Sequence, residues 1–158
     1  MPLMTTWRER WRNWRKPPQP DDVSTAVVWH LQVQRERGAI GSLNDKLESN
    51  LGPSVPDAAL RAIQVAIDEL LTNAVMHAER AQGPIDLKLA RSSSALDVTI
   101  TYQAEPFDPT AWKTGRDAAS IADSQIGGQG IRLVQALMDE FRHEYVDGRN
   151  VLRLRKRC

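Results

Sequence analysis

The stretch VPDAALRAIQVAIDELLTNAVMHAER, residues Val55 to Arg80, decides how this sequence folds. Its apolar residues recur at every third or fourth position, which predicts one long helix with a buried face. Asp57 precedes the periodic run and is a candidate N-cap. Glu69 and Asn73 lie four residues apart, so both side chains project from the same side of this helix. Burial of such polar groups without partners costs roughly 2–7 kcal/mol, so we expect them either at a solvated edge or in contact with a ligand.

Strand signals flank this helix on both sides. STAVVWHLQVQ, residues 24–34, is rich in β-branched and aromatic side chains and predicts a strand, in which His30 is interpreted as structural. Residues 84–91 (PIDLKLAR) and 95–103 (ALDVTITYQ) alternate apolar and polar side chains, as half-buried strands do. A run of serines between these two segments predicts a turn.

Two further helices and a hairpin complete the predicted fold. Apolar residues at helical spacing over residues 40–51 predict a helix that stops at the Gly-Pro pair behind it. A glycine-rich turn opens the last helix, GGQGIRLVQALMDEF, residues 127–141. An Asp-Gly pair predicts a tight turn between two strands in HEYVDGRNVLRLRKR, residues 143–157. The element order predicts an α+β fold: a two-layer α/β sandwich whose mixed, mostly antiparallel sheet carries helices on one face.

Composition and length favour a single globular domain. The chain has 158 residues, of which 41% are hydrophobic and 26% are charged, an ordinary balance for a chain with one sizeable core. The single cysteine, Cys158, excludes an internal disulfide framework and a cysteine-rich metal site. No apolar run approaches the roughly 20 residues of a membrane span, and no signal-peptide core follows the N-terminus. The sequence therefore predicts a cytoplasmic protein.

The first residues form a segment of different composition. Residues 1–22 predict a Trp/Arg-rich tail that ends in the proline-rich linker KPPQPDD, and residues 23–158 predict the domain. Five basic residues and one acidic residue surround the tryptophans of the tail, so the net charge of +1 leaves the domain mildly acidic, a poor surface for nucleic acid. Trp7, Trp11 and Trp14 share one helical face. This pattern suits an interfacial helix on an anionic membrane, an anchor on a partner protein, or a tail packed back onto the domain.

Four segments in order carry a family resemblance. DELLTNAVMHA places Glu-x-x-x-Asn on a helix, EPFDP follows a strand, GGQGIRLVQALMDEF opens a helix with glycines, and GRNVLRLRKR ends the last hairpin. A glycine pair before a helix is weak by itself, although a helix N-terminus attracts anions. Together the four segments, across nearly all of residues 23–157, resemble the GHKL ATPase/kinase domain. More narrowly, the chain is similar to the bacterial anti-sigma-factor serine kinases, the RsbW-like family.

The resemblance implies roles for several of these residues. Glu69 would be the general base that takes the proton from an attacking hydroxyl, and Asn73 would coordinate Mg²⁺ through its side-chain oxygen. Gly128 and Gly130 would cradle the phosphates of ATP, with Thr110 to Gln125 as a mobile lid. A carboxylate and a metal ligand one helical turn apart suit phosphoryl transfer, in which positioning and charge neutralisation supply most of the rate.

Other expectations concern the rim of the site and the partners. The resemblance places Tyr102 and Phe107 beside the nucleotide. His77, one turn beyond the putative metal ligand, either serves the helix C-terminus or contacts the nucleotide. The resemblance further implies that the protein binds a sigma factor in one state, phosphorylates an antagonist protein in another, and forms a homodimer.

The sequence departs from the family pattern on the base side. The family carries Asp-x-Gly before this loop, and its Asp accepts a hydrogen bond from the adenine amino group. Alignment on Phe107 places Tyr102 and Ala104 at those two positions, and Arg153 stands where the family often has Thr near the adenine. Loss of a charge-assisted bond of roughly 1.5–3 kcal/mol would weaken nucleotide binding about ten- to a hundredfold.

Three hypotheses about function follow. The first is a protein serine/threonine kinase of the partner-switching kind, based on Glu69, Asn73 and the glycine turn. The second is a non-catalytic binding module of the same fold, based on Tyr102 and Ala104. The third is a fragment of a sensor histidine kinase, which fits poorly because such a protein needs a phosphoacceptor histidine on an upstream helix, and His30 lies in a predicted strand.

Overall fold

The computed structural model describes residues 26–111 and 128–158, with side chains from residue 29 in the first range and from 129 in the second. The Trp/Arg tail, the linker and most of the expected lid lie outside the described residues. The described elements in chain order are β1 (Ala26–Val33), α1 (Arg37–Leu51), α2 (Asp57–Met76), β2 (Gln82–Arg91), β3 (Ala95–Gln103), α3 (Gly128–Leu137), β4 (Glu140–Val146) and β5 (Arg149–Arg157). Short 3₁₀ turns lie at Gly52–Ser54 and Pro109–Ala111. This order of strands and helices confirms the predicted one.

The sheet has five strands in the order β1-β2-β3-β5-β4. Every pairing among the described strands is antiparallel, so the expectation of a mixed sheet is wrong in that detail. The reason lies in the connection between β1 and β2, since α1 and α2 together bring the chain back to the end of the sheet where β1 finishes. Val33 of β1 accordingly pairs with Ile85 of β2.

The helices cover one face of this sheet, and the core lies between the two layers. The inward side chains of α2 meet the alternate inward side chains of the central strands, as the period of each element requires. The largest of these buried side chains include Ile63, Ile67, Leu70, Leu71, Ile85, Leu87, Leu89, Ile100 and Leu152. The α+β two-layer sandwich predicted from the sequence is confirmed. None of the described helices has both the length and the apolar character needed to cross a membrane.

Two helix boundaries differ from the predicted ones. Pro56, not Asp57, is the N-cap of α2, and its carbonyl accepts the amide of Leu60 at 3.0 Å. The last helix ends at Leu137, and β4 begins at Glu140. Sheet pairing overrides the helical pattern there, because the chain enters the β4–β5 hairpin.

The β4–β5 hairpin turns at the predicted Asp-Gly pair. Asp147 and Gly148 have φ angles of 50° and 74°, the left-handed conformation that this type of two-residue turn requires. The pairing sets Tyr145 against Asn150, and the neighbouring strand sets Tyr102 against Asn150 from the other side. One end of the sheet therefore gathers three polar side chains close to the loop that follows β3.

Candidate functional site

The carboxylate of Glu69 lies against the first turn of α3. A Cβ atom built on Gly130 would overlap the Oε2 atom of Glu69 and lie 2.8 Å from its Cδ atom. Only glycine permits this approach, because any other residue places a side-chain carbon where the carboxylate lies. The first amide groups of a helix have no partner within the helix, and the helix dipole makes this end positive. The structure thus brings Glu69 and Gly130 together at an anion-binding helix end.

Asn73 lies one turn further along α2 and carries an unsatisfied polar group. Its Nδ2 atom is buried and has no hydrogen-bond partner. A buried donor without a partner costs about 1–3 kcal/mol and calls for an explanation in a native structure. The same side chain also carries an amide oxygen, which is its cation-ligating atom. A bound ligand that contacts this amide would supply the missing partner.

The donor set fits a magnesium ion held mainly by phosphates. Mg²⁺ prefers oxygen ligands in octahedral geometry and often keeps several waters with one or two protein ligands. Within residues 26–111 and 128–158 no three His, Cys, Asp or Glu side chains come together as a cation site. Asn73 is therefore the residue that would hold Mg²⁺, and it would share the ion with phosphate oxygens and water.

The two remaining residues predicted at this end occupy helix termini. Gly128 is the first residue of α3, so the glycines of the predicted turn open the helix as expected. His77 is the C-cap of α2, where its amide donates to the carbonyl of Asn73 at 2.9 Å. The side chain of His77 is exposed. The structure places His77 at the rim of the site.

Arg35, which the sequence did not single out, ties three segments together beyond Asn73. Its guanidinium donates to the carbonyls of Ala74 at 2.7 Å, Gly83 at 2.8 Å and Gln103 at 3.2 Å. These carbonyls belong to the last turn of α2 and to the facing ends of β2 and β3. Arg35 lies in the charged run QRERG, where the ordinary interpretation of an arginine is a solvated side chain, so no sequence signal pointed to this contact.

Tyr102 fills the space beneath Arg35. Its side chain is 3% exposed and belongs to the core, and the Arg35 guanidinium carbon lies 5.7 Å from the ring centroid, within the range of a cation–π contact. Burial raises the pKa of Tyr102 to about 12, although the charge of Arg35 opposes the shift. Burial also lowers the pKa of Arg35 below its ordinary value. The phenol is therefore neutral near pH 7.

The EPFDP loop is held by a buried asparagine. Asn150 is 0% exposed, its Oδ1 atom accepts the amide of Phe107 at 2.9 Å, and its Nδ2 atom donates to the carbonyl of Glu105 at 2.8 Å. The Nε2 atom of His143 lies 2.8 Å from the same Oδ1 atom. A sequence signal for this clamp existed, because Asn150 occupies an inward position in the alternation that Leu152 continues.

Two further contacts fix the loop on its outer side. The Tyr145 hydroxyl donates to the carbonyl of Ala104 at 3.0 Å, and Asp108 accepts the amide of Thr110 at 2.8 Å. The Phe107 ring itself is 40% exposed. The described part of the loop thus has a fixed backbone and presents an exposed aromatic ring at its tip.

The predicted site residues fall into three groups. Glu69 packs against Gly130 with Asn73 one turn further along α2, Tyr102 lies in the core under Arg35, and His77 and Phe107 are exposed. Arg153 does not lie with any of them, because β5 directs it to the face of the sheet opposite the helices. There its guanidinium lies 3.8 Å from the Glu144 carboxylate. The expectation that Arg153 takes a base-side position is therefore wrong. The inward-facing residue near the start of β5 is Asn150.

Comparisons with known proteins show the family of the chain. Residues 33–156 match the sequence family described as the histidine kinase-like ATPase domain. Serine-protein kinase RsbW of Listeria monocytogenes serotype 4a (strain HCC23) is 27% identical over 136 residues, which are 80% of this chain and 83% of the relative. Serine/threonine-protein kinase BtrW of Bordetella bronchiseptica (strain ATCC BAA-588 / NCTC 13252 / RB50) is 32% identical over 94 residues, which are 58% of this chain and 66% of that protein.

A solved structure shares the fold. The crystal structure of the RsbU and RsbW domains of Rv1364c from Mycobacterium tuberculosis superposes with a TM-score of 0.61 at 16% sequence identity. The match covers 84% of this chain and 32% of the solved one, so this chain spans about a third of that protein's length. The resemblance seen in the four sequence segments is confirmed by the family match, the relatives and the fold together.

Proposed function

Since the chain belongs to the histidine kinase-like ATPase domain family, we propose that it is an ATP-dependent serine/threonine protein kinase of a bacterial partner-switching system. Family membership implies the use of ATP. The observation that carries the proposal is the carboxylate of Glu69 against Gly130 at the start of α3, one helical turn from Asn73, whose buried Nδ2 atom has no hydrogen-bond partner. A base, a metal ligand and an anion-binding helix end then meet at one place.

Each of these groups has a part in phosphoryl transfer. Glu69 accepts the proton of the attacking serine or threonine hydroxyl, a contribution of about 10²–10⁴ in rate for a well-placed general base. Asn73 would hold Mg²⁺ through its side-chain oxygen, and the ion would supply positive charge beside the phosphates. The free amides at the start of α3 bind the phosphates. Phosphoryl transfer requires little covalent chemistry from the protein. The packing of α2 beside α3, which positions these groups, would therefore make the main contribution to the rate.

The proposed partners follow from the similarity to the RsbW kinases. The protein would bind a sigma factor in one state and phosphorylate an antagonist protein in the other, and it would act as a homodimer in transcription regulation without contacting nucleic acid itself. Residues 1–22 would form a tail separate from the domain, with Trp7, Trp11 and Trp14 in contact with a membrane surface or a partner. The proposed location is the cytoplasm, with peripheral membrane attachment through that tail.

Calorimetry with Mg-ATP tests the nucleotide site first. The wild-type protein should bind, and Asn73→Ala should lose the Mg²⁺-dependent part of the binding. Asn50→Ala is a matched control, since Asn50 is exposed on α1 and its amide donates to the carbonyl of Lys46 at 2.7 Å. Transfer of the γ-phosphate of ATP to candidate antagonist proteins is then measured with an active kinase as positive control. If no candidate protein receives phosphate, the proposed kinase activity is refuted.

A second candidate function is a non-catalytic binding module of the same fold. The buried ring of Tyr102 under Arg35 favours it, because Tyr102 stands where the family pattern has the aspartate that accepts the adenine amino group. Such a module would show no binding at millimolar Mg-ATP yet would still capture its protein partner. Tight Mg-ATP binding with turnover that depends on Glu69 would exclude it.

A further inference from the structure

Beyond Asn73, Arg35 packs over the ring of Tyr102, the residue that the family resemblance places at the base end of the site. We infer that Arg35 and Tyr102 shut the base end, so that the site selects a nucleoside triphosphate by its phosphates and has no preference for adenine. The inference rests on the proposed function, since it concerns the specificity of the same nucleotide site. It assigns to Tyr102 and Arg35 a role in setting base selectivity.

The first support is the way Arg35 holds this end together. Its three hydrogen bonds join the carbonyl of Ala74, the residue after Asn73, to those of Gly83 and Gln103. The guanidinium thus bridges the end of α2 and the adjoining ends of β2 and β3 around the Tyr102 ring. A base that entered here would have to displace a charged group that already satisfies three backbone carbonyls.

The second support is the chemistry of the groups that face this end. The adenine amino group is a donor and needs an acceptor, whereas a guanidinium has donors only. Tyr102 cannot replace a carboxylate, because the buried phenol carries no charge near pH 7. Neither Arg35 nor Tyr102 therefore supplies the charged acceptor that would distinguish adenine from guanine, and such a charge-assisted bond is worth about ten- to a hundredfold in affinity.

The third support is that the neighbouring loops are joined across this end. The Glu105 amide donates to the carbonyl of Glu79 at 3.0 Å, and Arg80 pairs with the Glu105 carboxylate at 3.0 Å. The Tyr145 hydroxyl donates to the carbonyl of Ala104. Ala104 is the residue at which the family pattern has glycine. The loops after α2 and β3 are thus linked to each other. The phosphate end, by contrast, keeps Glu69, Gly130 and the unpartnered amide of Asn73.

Titration of the wild-type protein tests the inference without any substitution. Mg-ATP, Mg-GTP, Mg-CTP and magnesium tripolyphosphate are each titrated by calorimetry. We expect dissociation constants of the three nucleotides within about threefold of one another, with tripolyphosphate displacing ATP competitively. ATP that binds at least about tenfold more tightly than GTP would overturn the inference and leave the proposed kinase intact. No binding of any of the four probes would overturn both.

A pair of variants tests whether Tyr102 sets the selectivity. Tyr102→Asp combined with Ala104→Gly restores the family pattern and should raise the preference for ATP over GTP by about ten- to a hundredfold. Asn50→Ala, at an exposed position on α1 outside the site, is the control and should leave the ratio unchanged. Circular dichroism establishes that each variant is folded. A folded double variant without a gain in ATP preference would overturn the role of Tyr102, and the wild-type ratio decides the question if that variant does not fold.

Discussion

The Glu69 carboxylate and the Gly130 α-carbon lie so close that a Cβ atom on Gly130 would overlap the carboxylate. This contact joins α2, which carries the proposed base and metal ligand, to the end of α3 that is proposed to bind phosphate. The glycine of the sequence motif therefore has a second use besides leaving room for a ligand. It also leaves room for the Glu69 carboxylate.

Substitution of Gly130 by alanine should displace the base while leaving the fold intact. The added methyl group meets only the flexible end of Glu69, and alanine favours a helix over glycine by about 1 kcal/mol. We therefore expect the free energy of unfolding to change by less than about 1 kcal/mol, while phosphate transfer falls about a hundredfold or more. Urea unfolding and the transfer assay measure the two effects.

Gly41→Ala provides the control for that substitution. A Cβ atom on Gly41, in the middle of α1, meets nothing within 4 Å. This variant should gain about 0.5–1 kcal/mol of stability with unchanged transfer. Equal transfer rates in Gly130→Ala and Gly41→Ala would show that the position of the Glu69 carboxylate is unimportant.

Replacement of Glu69 by glutamine should separate chemistry from binding. The amide keeps the shape of the side chain but cannot accept the proton of the attacking hydroxyl, so transfer should fall by about 10²–10⁴. Mg-ATP affinity should stay within about threefold, because the lost interaction belongs to the transition state. Asp68→Asn removes a neighbouring carboxylate that projects in another direction from α2 and should leave both quantities unchanged. A loss of affinity as large as the loss of rate would assign Glu69 to binding instead.

Substitution of Asn150 by leucine should release the EPFDP loop and destabilise the protein. Leucine leaves the Phe107 amide and the Glu105 carbonyl without their partner, and each unsatisfied buried group costs about 1–3 kcal/mol. We expect a loss of about 2–4 kcal/mol in the free energy of unfolding, measured by urea denaturation. The exposed Asn50→Ala should lose less than about 0.5 kcal/mol. Similar losses of unfolding free energy in the two variants would show that the hydrogen bonds of Asn150 do not stabilise the loop.

Alkaline pH should lower the free energy of unfolding through the ionisation of Tyr102. The folded pKa is about 12 against an ordinary value of 10.0, so the folded state holds this proton more tightly than the unfolded state does. The associated stability is fully present below pH 10 and is lost as the pH rises from 10 to about 12. At 1.36 kcal/mol for each pKa unit, the loss amounts to about 3 kcal/mol.

Two measurements with Tyr102→Phe check the alkaline prediction. The pH-dependent loss between 10 and 12 should be smaller in this variant than in the wild type, because the titrating phenol is gone. Ultraviolet absorbance should show a late tyrosinate transition near pH 12 in the wild type that is missing in the variant. Identical titration curves for the two proteins would contradict the burial of this phenol.

Sequence periodicity predicts the elements well where one face is continuously buried. The helix around Glu69 and Asn73 follows its pattern closely, as do β2 and β3, because the same apolar positions form the core. The pattern fails at the end of α3, where a helical period runs on past Leu137 but sheet pairing takes the chain into β4. Local signals cannot weigh such a tertiary contact.

The candidate site is predicted less evenly. Glu69 and Asn73 stand out because polar residues interrupt an apolar face, and Tyr102 stands out as a departure from the family pattern. Arg35 escapes notice because its role depends on carbonyls far away in sequence, at Ala74 and Gln103. Such long-range partners leave no period or motif in the chain.

The β4–β5 hairpin also governs when the site is completed during synthesis. Asn150 and Tyr145 belong to this hairpin and hold a loop that the ribosome has made earlier. A nascent chain that still lacks the hairpin already carries Glu69 and Asn73, but its loop has no anchor. A hairpin closes in about 1–10 μs, far faster than translation at about 5–20 residues per second. The pace of translation therefore sets the moment at which the loop acquires its shape.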